Sequence, residues 1–294
     1  VAGVMQHIEE AGIHSGDSTT VIPPYMISQR DQDRIRRLTV ELSRLLNVVG
    51  LMNIQFAIAN GELYVLEVNP RASRTVPFVS KATGIPFAKI AAKVIAGKTL
   101  EELGLTAEPR VGRYYVKAPV FPFSRFPRED TILGPEMKST GEVMGNAASF
   151  GEAYAKALLG AGLRLPLRGT AFISVNENDK RDLVVQLARE LRVLGFALVA
   201  TRGTREFLES HGVAAELVLK VHEGRPHIVD RMINDDIDLV INTPFGRSAF
   251  YDDAYIRRTA LQHGIPLITT LSAAAASVEG IRAWQTGRET LSSI

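Results

Sequence analysis

From Arg168 onward the chain alternates between short apolar runs and amphipathic stretches. The apolar runs are AFISV at 171–175, FALVAT at 196–201, ELVLK at 216–220, DLVIN at 238–242 and PLITT at 266–270. Their centres are apolar without a polar alternation, as a strand covered on both faces requires. Between them, 180–194 carries Leu183, Val184, Leu187, Leu191 and Leu194 at helical spacing. Segments 204–210, 252–263 and the alanine-rich 271–284 supply further helices. Strands that alternate with helices in this way fold as a doubly wound parallel sheet.

Such sheets bind ligands beyond the carboxyl ends of their strands, where helix amino termini point. Here those ends read Asn178-Asp179-Lys180, Thr201-Arg202-Gly203-Thr204, Lys220-Val221-His222-Glu223-Gly224, Asn242-Thr243-Pro244 and Thr269-Thr270. Helix capping would account for any one of them. Five ends with the same hydroxyls, post-glycine N–H groups and lysines point instead to a phosphate site, strong for an anion and weak for its identity.

The amino-terminal half reads differently. Leu51–Ala59 and Leu63–Val68 are short, apolar and β-prone, and Asn60-Gly61 between them tolerates positive φ, which predicts a hairpin. Burying Ile54, Phe56, Ile58, Tyr64, Leu66 and Val68 on one face requires Gln55 opposite Glu67. A plain two-residue turn would pair Gln55 with Leu66, so a three-residue loop or a bulge is expected at the tip. Gln55, Glu67 and Asn69 then share a face, and Arg71 and Arg74 follow. Hard oxygen ligands suit Mg²⁺ or Mn²⁺ carried by a nucleotide, and guanidinium groups suit a phosphoryl group. A solvated strand-end carboxylate with Arg71 as its surface partner is the alternative reading of those residues alone.

Ile35, Leu38, Leu42, Leu45 and Leu46 recur at helical spacing after a cap at Ser28 or Asp31, so a helix is expected to pack them on the hairpin. Pro86–Ala96 reads as a short helix ended by Gly97, and Phe150–Leu159 as another. Residues 1–8 read as a strand, and Glu9–Ser18 as a polar loop bent by glycines. Residues 105–165 are broken by Pro109, Pro119, Pro122, Pro127 and Pro135. The reading is an α+β lobe with an antiparallel sheet over 1–120, an irregular flank and linker over 121–165, and the α/β domain over 166–294.

Composition narrows the partners. Thirty-four basic residues balance 32 acidic ones, which argues against nucleic acid. With no cysteine there are no disulfides or thiolate metal sites. No apolar run approaches the ~18 residues of a membrane span, so a cytoplasmic protein is expected.

Five stretches carry a resemblance to a known family: LEVNPRASRTVPFVSKATG at 66–84, QHIEEAGIHSGDS at 6–18, GLMNIQFA at 50–57, LGPEMKSTGEVMG at 133–145 and KVHEGRPHIVDR at 220–231. They resemble the carboxy-terminal synthetase half of carbamoyl phosphate synthetase large subunits, over nearly the whole chain. The resemblance implies a truncated ATP-grasp lobe followed by a methylglyoxal synthase-like allosteric domain. The activity implied is glutamine-dependent carbamoyl phosphate synthesis for pyrimidine and arginine biosynthesis, with this half phosphorylating carbamate from ATP. Gln55, Glu67 and Asn69 would hold Mg²⁺ or Mn²⁺ on the ATP phosphates, and Arg71 and Arg74 would grip the transferring phosphoryl group. His7, Glu9, Glu10, Ile13 and Ser18 would hold K⁺. In the second domain Lys180, Thr201, Thr204, Lys220, Asn242 and Thr243 would contact a nucleotide effector, UMP or IMP. The implied partners are the remainder of the large subunit and the small glutaminase subunit.

The chain departs from the family pattern in three places. Pro244 stands where some members carry another Thr. Gly224-Arg225-Pro226 replaces the site of a catalytic Asp in the enzyme that names the second fold, so binding rather than catalysis is expected there. Glu9, Asp17 and Thr269 match an ornithine site whose third acid would fall at Ala118, so no ornithine response is expected. The chain opens VAGVMQHIEE, so the adenine-binding half is expected to precede it and the isolated chain to be inactive. A non-catalytic nucleotide sensor and another ATP-grasp carboxylate–amine ligase are the rival readings.

Overall fold

The computed structural model describes residues 1–126, 131–243 and 250–287. β1 (Gln6–His7) pairs antiparallel with β2 (Thr20–Ile22). α1 (Gln29–Leu45) follows, capped by Ser28, whose Oγ accepts from the Asp31 N–H at 3.1 Å. The hairpin strands are β3 (Asn53–Ala59) and β4 (Glu62–Asn69), succeeded by α2 (Thr75–Thr83) and α3 (Phe87–Ile95). β5 (Tyr114–Val120) and β6 (Gly141–Ala147) complete a four-stranded antiparallel sheet in the order β1-β2-β5-β6, against which α4 (Phe150–Gly160) packs.

The stretch 121–165 is therefore not an irregular flank, because it contributes β6 and α4. The sequence hides β6 because Gly141, Glu142, Gly145 and Asn146 dilute its pattern. Gly145 is a packing requirement. A Cβ there would run into the Ala153 carbonyl oxygen of α4 and stand 2.5 Å from the Ala157 nitrogen. Glycine in a strand marks such a close backbone approach, which a hydrophobicity pattern reads as a gap.

The second half supplies β7 (Gly169–Ser174), α5 (Asp182–Val193), β8 (Phe196–Ala200), α6 (Arg202–Ser210) and β9 (Glu216–Leu217). α7 (Ile228–Ile233), β10 (Leu239–Asn242), α8 (Phe250–Gln262), β11 (Leu267–Ile268) and α9 (Leu271–Thr286) follow. The five strands are all parallel in the order β11-β10-β7-β8-β9, the expected doubly wound sheet. Its two faces are separately covered. Ala171 and Ile173 of β7 enter one core with Val184, Leu187 and Leu191 of α5, while Phe172 between them enters another with Met232 and Ile256. That alternation is why Ala171, Phe172 and Ile173 all have to be apolar.

The two halves meet along α4 and α9. A Cβ on Gly151 would stand 2.5 Å from the Glu279 carbonyl oxygen, and one on Gly280 would stand 3.4 Å from that of Gly151. The buried Tyr154 hydroxyl lies 3.4 Å from Ser277 Oγ, and Tyr25 stacks on Phe150 with ring centroids 3.8 Å apart. A single core cluster runs from Val21 and Val116 through α4 to α9.

The hairpin is the exposed part. Its two strands pair only with each other among the described residues. Of the apolar α1 positions Ile35 alone is buried, and Leu45 is 77% exposed. Leu38 and Leu42 are half-buried, and Arg34 Nη1 of α1 donates to the Gly61 carbonyl at the hairpin tip at 3.0 Å. α1, the hairpin and α3 border a cleft of about 820 Å³, lined by Ile35, Leu51, Phe56, Ile90 and Val94 among others. No described helix is long and apolar enough to cross a membrane.

Candidate functional site

The hairpin tip is a two-residue turn, with Asn60 and Gly61 at φ +52° and +78° and Ala59 opposite Glu62. The irregularity expected at the tip lies lower down. Gln55 pairs with Glu67, but the next residue, Phe56, pairs with Val65, so Leu66 is an extra residue bulged out of β4. The bulge delivers the Gln55–Glu67 pairing that a tight turn alone would deny. It also re-sorts the faces above it. Leu63 and Val65, in place of the expected Tyr64 and Leu66, lie across from Ile58 and Phe56, while Tyr64 lies opposite Ala57.

Below the bulge, Gln55, Glu67, Asn69 and Asn53 share one face. Arg71 and Arg74 lie in the turn that joins β4 to α2, both exposed, with Arg71 Nη1 donating to the Ala72 carbonyl at 3.0 Å. One carboxylate among amides is a weak charge for a bare dication. Among the described residues no three His, Cys, Asp or Glu side chains gather into a metal cluster. The donor set fits a cation that arrives on phosphate oxygens, with the amide oxygens completing its shell.

The loop at 9–18 is clasped by the segment before β6. Asp17, fully buried, accepts from the Lys138 N–H at 2.7 Å and the Ser139 N–H at 2.9 Å, and Ser139 Oγ donates to the Gly16 carbonyl at 3.0 Å. Lys117 reaches in from β5 and donates from Nζ to the Ser15 carbonyl at 2.9 Å. Burial pushes the Glu9 carboxyl up to about 7, against hydrogen bonds from Thr19 and the charge of Lys117. Burial, then the Lys117 charge, pushes the His7 imidazole down to about 4. Burial also lowers Lys117 itself, opposed by Glu142, Glu9 and Asp17. His7, Glu9 and Asp17 thus share the surroundings of one ammonium. Glu10 is exposed, Ile13 is half-buried, and Ser18 Oγ donates to the His14 carbonyl at 3.4 Å. Ala118 is fully buried opposite Val143, and Thr269 is half-buried just past β11.

Several strand-end groups of the parallel sheet lie together. Thr201 Oγ1 lies 3.2 Å from Ser174 Oγ and 3.4 Å from Thr204 Oγ1, and the Val175 N–H donates to Thr204 Oγ1 at 3.1 Å. Lys180 Nζ, 2.6 Å from Glu177 Oε1, stands over Gly203 at the start of α6, about 3.0 Å from where a Cβ would be. Lys220 is half-buried beyond β9, its N–H held by Glu223 Oε2 at 2.7 Å. Asn242 turns inward. Its Oδ1 accepts from Arg257 Nη1 at 3.2 Å, and its Nδ2 donates to Asp253 Oδ1 at 3.3 Å and to the Ser174 carbonyl at 3.5 Å. Its side-chain amide is therefore engaged inside the protein. Pro244 lies outside the described residues.

Two residues at this site escape a reading of the sequence. Ser174 is hidden inside an apolar strand, although a hydroxyl at the last strand residue is itself a signal. Asn176 lies between that strand and the turn bearing Lys180, and its amide bonds Thr243 Oγ1 at 3.2 Å. No linear spacing reveals that contact.

Comparison with known proteins agrees in both halves. The family model for the carbamoyl-phosphate synthase L chain, ATP binding domain, matches residues 2–103, and that for the MGS-like domain matches 183–269. The carbamoyl phosphate synthase large chain of Archaeoglobus fulgidus is 52% identical over 294 residues, covering 100% of this chain and 27% of its own. That of Acidobacterium capsulatum is 55% identical over 291 residues, 97% of this chain and 26% of its own. That of Pasteurella multocida is 56% identical over 277 residues, 94% of this chain and 26% of its own. The chain spans about a quarter of the length of the curated relatives it matches. Matched by both family models and at least 52% identical to these three proteins over nearly all its length, the chain belongs to the carbamoyl phosphate synthase large-chain family, of which it carries ATP-binding-domain residues joined to an MGS-like domain.

Proposed function

We propose that this chain is the part of a glutamine-hydrolysing carbamoyl phosphate synthase that completes the carbamate-phosphorylating site and carries its nucleotide control. The observation that supports it is the bulged pairing of Gln55 with Glu67, with Asn69 on the same face and Arg71 and Arg74 in the next turn. Gln55, Glu67 and Asn69 would hold the divalent cations of ATP, which would supply charge neutralisation at the phosphoryl group. Arg71 and Arg74 bind and orient that group through paired N–H donors. Catalysis on this reading is positioning and electrostatics, with no covalent intermediate on the chain. The loop around His7, Glu9, Glu10, Ile13 and Ser18 would hold K⁺. The remainder of the large subunit supplies the adenine-binding half, and the small subunit supplies ammonia from glutamine. The test is carbamoyl phosphate synthesis by the assembled enzyme, in the wild type and with Glu67 replaced.

The parallel-sheet site binds a nucleoside monophosphate, UMP or IMP. Thr201, Thr204 and Thr243 form the floor, Lys180 and Lys220 the charged rim, and Asn242 fixes the end of β10. Lys220→Ala is expected to weaken binding by about 1–3 kcal/mol, the scale of one charge-assisted contact. Isothermal titration of UMP and IMP into the 294-residue chain reads this directly. Silence from both nucleotides at millimolar concentration would reject the effector assignment.

A further inference from the structure

We propose that Asn176 is a positioning residue that turns the Thr243 hydroxyl into an obligatory donor and so makes the floor of the parallel-sheet site selective for an anion. The proposal rests on the nucleotide reading of that site and names the residue that sets its polarity. Asn176 lies two residues past the end of β7. Its Oδ1 accepts from the Asn178 N–H at 2.8 Å and the Asp179 N–H at 3.1 Å, which fixes the orientation of the amide. The opposite edge, Nδ2, donates to Asp179 Oδ2 at 2.7 Å and to Thr243 Oγ1 at 3.2 Å. The Asn176 backbone N–H donates to the same Thr243 oxygen at 3.1 Å.

A threonine hydroxyl has two lone pairs and one hydrogen. Asn176 occupies both lone pairs of Thr243. The hydrogen is then the part of that hydroxyl left for a ligand, and a group that can only donate favours phosphate oxygens and disfavours amines and cations. The same tether joins two walls of the site. The Asn176 turn leads directly to Lys180, whose N–H donates to the Glu177 carbonyl at 3.3 Å, while Thr243 directly follows β10. Thr243 is 4% exposed, so its hydroxyl cannot exchange these partners for bulk water.

The test is a double-mutant cycle read by calorimetric titration of the full chain with UMP, IMP and inorganic phosphate. Asn176→Asp keeps the oxygen that closes the turn and deletes both side-chain donors. Asn176→Ser also keeps an acceptor oxygen, replaces the two amide donors with a single hydroxyl on a shorter, uncharged group, and covers the case where the introduced carboxylate repels Asp179 enough to unfold the turn. Thr243→Val removes the hydroxyl at constant shape. Each Asn176 variant is expected to weaken binding of whichever probe the wild type takes by about tenfold, and Thr243→Val by at least as much. Because Asn176 acts through Thr243, adding either Asn176 change to Thr243→Val should cost no more than a further twofold to threefold. Full additivity would overturn the proposal, since a merely structural Asn176 would matter equally in both backgrounds. Binding of phosphate but neither nucleotide by the wild type would refute the nucleotide reading alone, and the cycle would still be read with phosphate. Binding of none of the three probes by the wild type would refute both.

Discussion

Glu67→Gln in the assembled enzyme is expected to cut carbamate phosphorylation by at least two to three orders of magnitude, while bicarbonate-dependent ATP cleavage in the other half survives. Glu67 brings the negative charge to the face it shares with Gln55, Asn53 and Asn69. Glutamine keeps the shape, the strand pairing and one oxygen donor, so the change removes charge and little else. Loss of one aligned electrostatic partner of a transition state costs about 2.7–4 kcal/mol, and on the proposed reading, in which Glu67 would hold a phosphate-bound cation, the loss belongs at the upper end. Glu67 is exposed, so the variant should melt with the wild type. Coupled assays for carbamoyl phosphate and for ADP separate the two half-reactions. Near-normal synthesis by the variant would remove Glu67 from the site.

Gly145→Ala is expected to be the most destabilising single methyl in the described structure's first half. The added carbon would meet the backbone of α4 on three atoms: the Ala153 carbonyl oxygen, the Ala157 nitrogen at 2.5 Å and Ala157 Cα at 3.0 Å. Backbone cannot rotate aside as a side chain can, so either β6 or α4 must shift. Overpacking of this kind costs about 1–3 kcal/mol and occasionally more. At this size each kcal/mol corresponds to roughly 2–4 °C in Tm. Gly160→Ala is the matched control. It is exposed at the end of the same helix, and its Cβ would meet Val143 at an ordinary 3.5 Å. Thermal melts of both variants decide the matter, and equal Tm values would show that the α4–β6 contact yields.

How much of this was legible follows from what a linear pattern can encode. The parallel sheet was legible because each of its strands is buried on both faces, which forces runs such as AFISV and DLVIN. The pairing of Gln55 with Glu67 was reached from the apolar positions, although the structure keeps only Ile54 with Val68 as expected and sets Phe56 and Ile58 against Val65 and Leu63. The place of the bulge was not, since a bulge at the tip and one at Leu66 both restore that pairing. The structure has the second. β6 was hidden because its contact with α4 is made by the absence of a side chain. α7 was hidden because it is six residues long and its cap, His227, is an uncommon capping residue; its Nδ1 accepts from the Asp230 N–H at 3.2 Å. At the strand ends, Thr201, Thr204 and Thr243 were readable as residue types. The inward turn of Asn242 was not, because it depends on Arg257 arriving from a helix 15 positions later.

The bulged Leu66 has a consequence for how this hairpin tolerates changes in length. Elsewhere in either strand, adding or losing one residue moves every later side chain to the opposite face. Loss of residue 66 would leave Val65 opposite Phe56, Glu67 opposite Gln55 and Val68 opposite Ile54, the same partners joined into an unbroken ladder. Leu66 is thus a spare count in the strand. It is the position where the hairpin can shorten by one without turning Gln55, Glu67 and Asn69 away from the face they share, and what such a deletion would change is the local bend that the bulge adds.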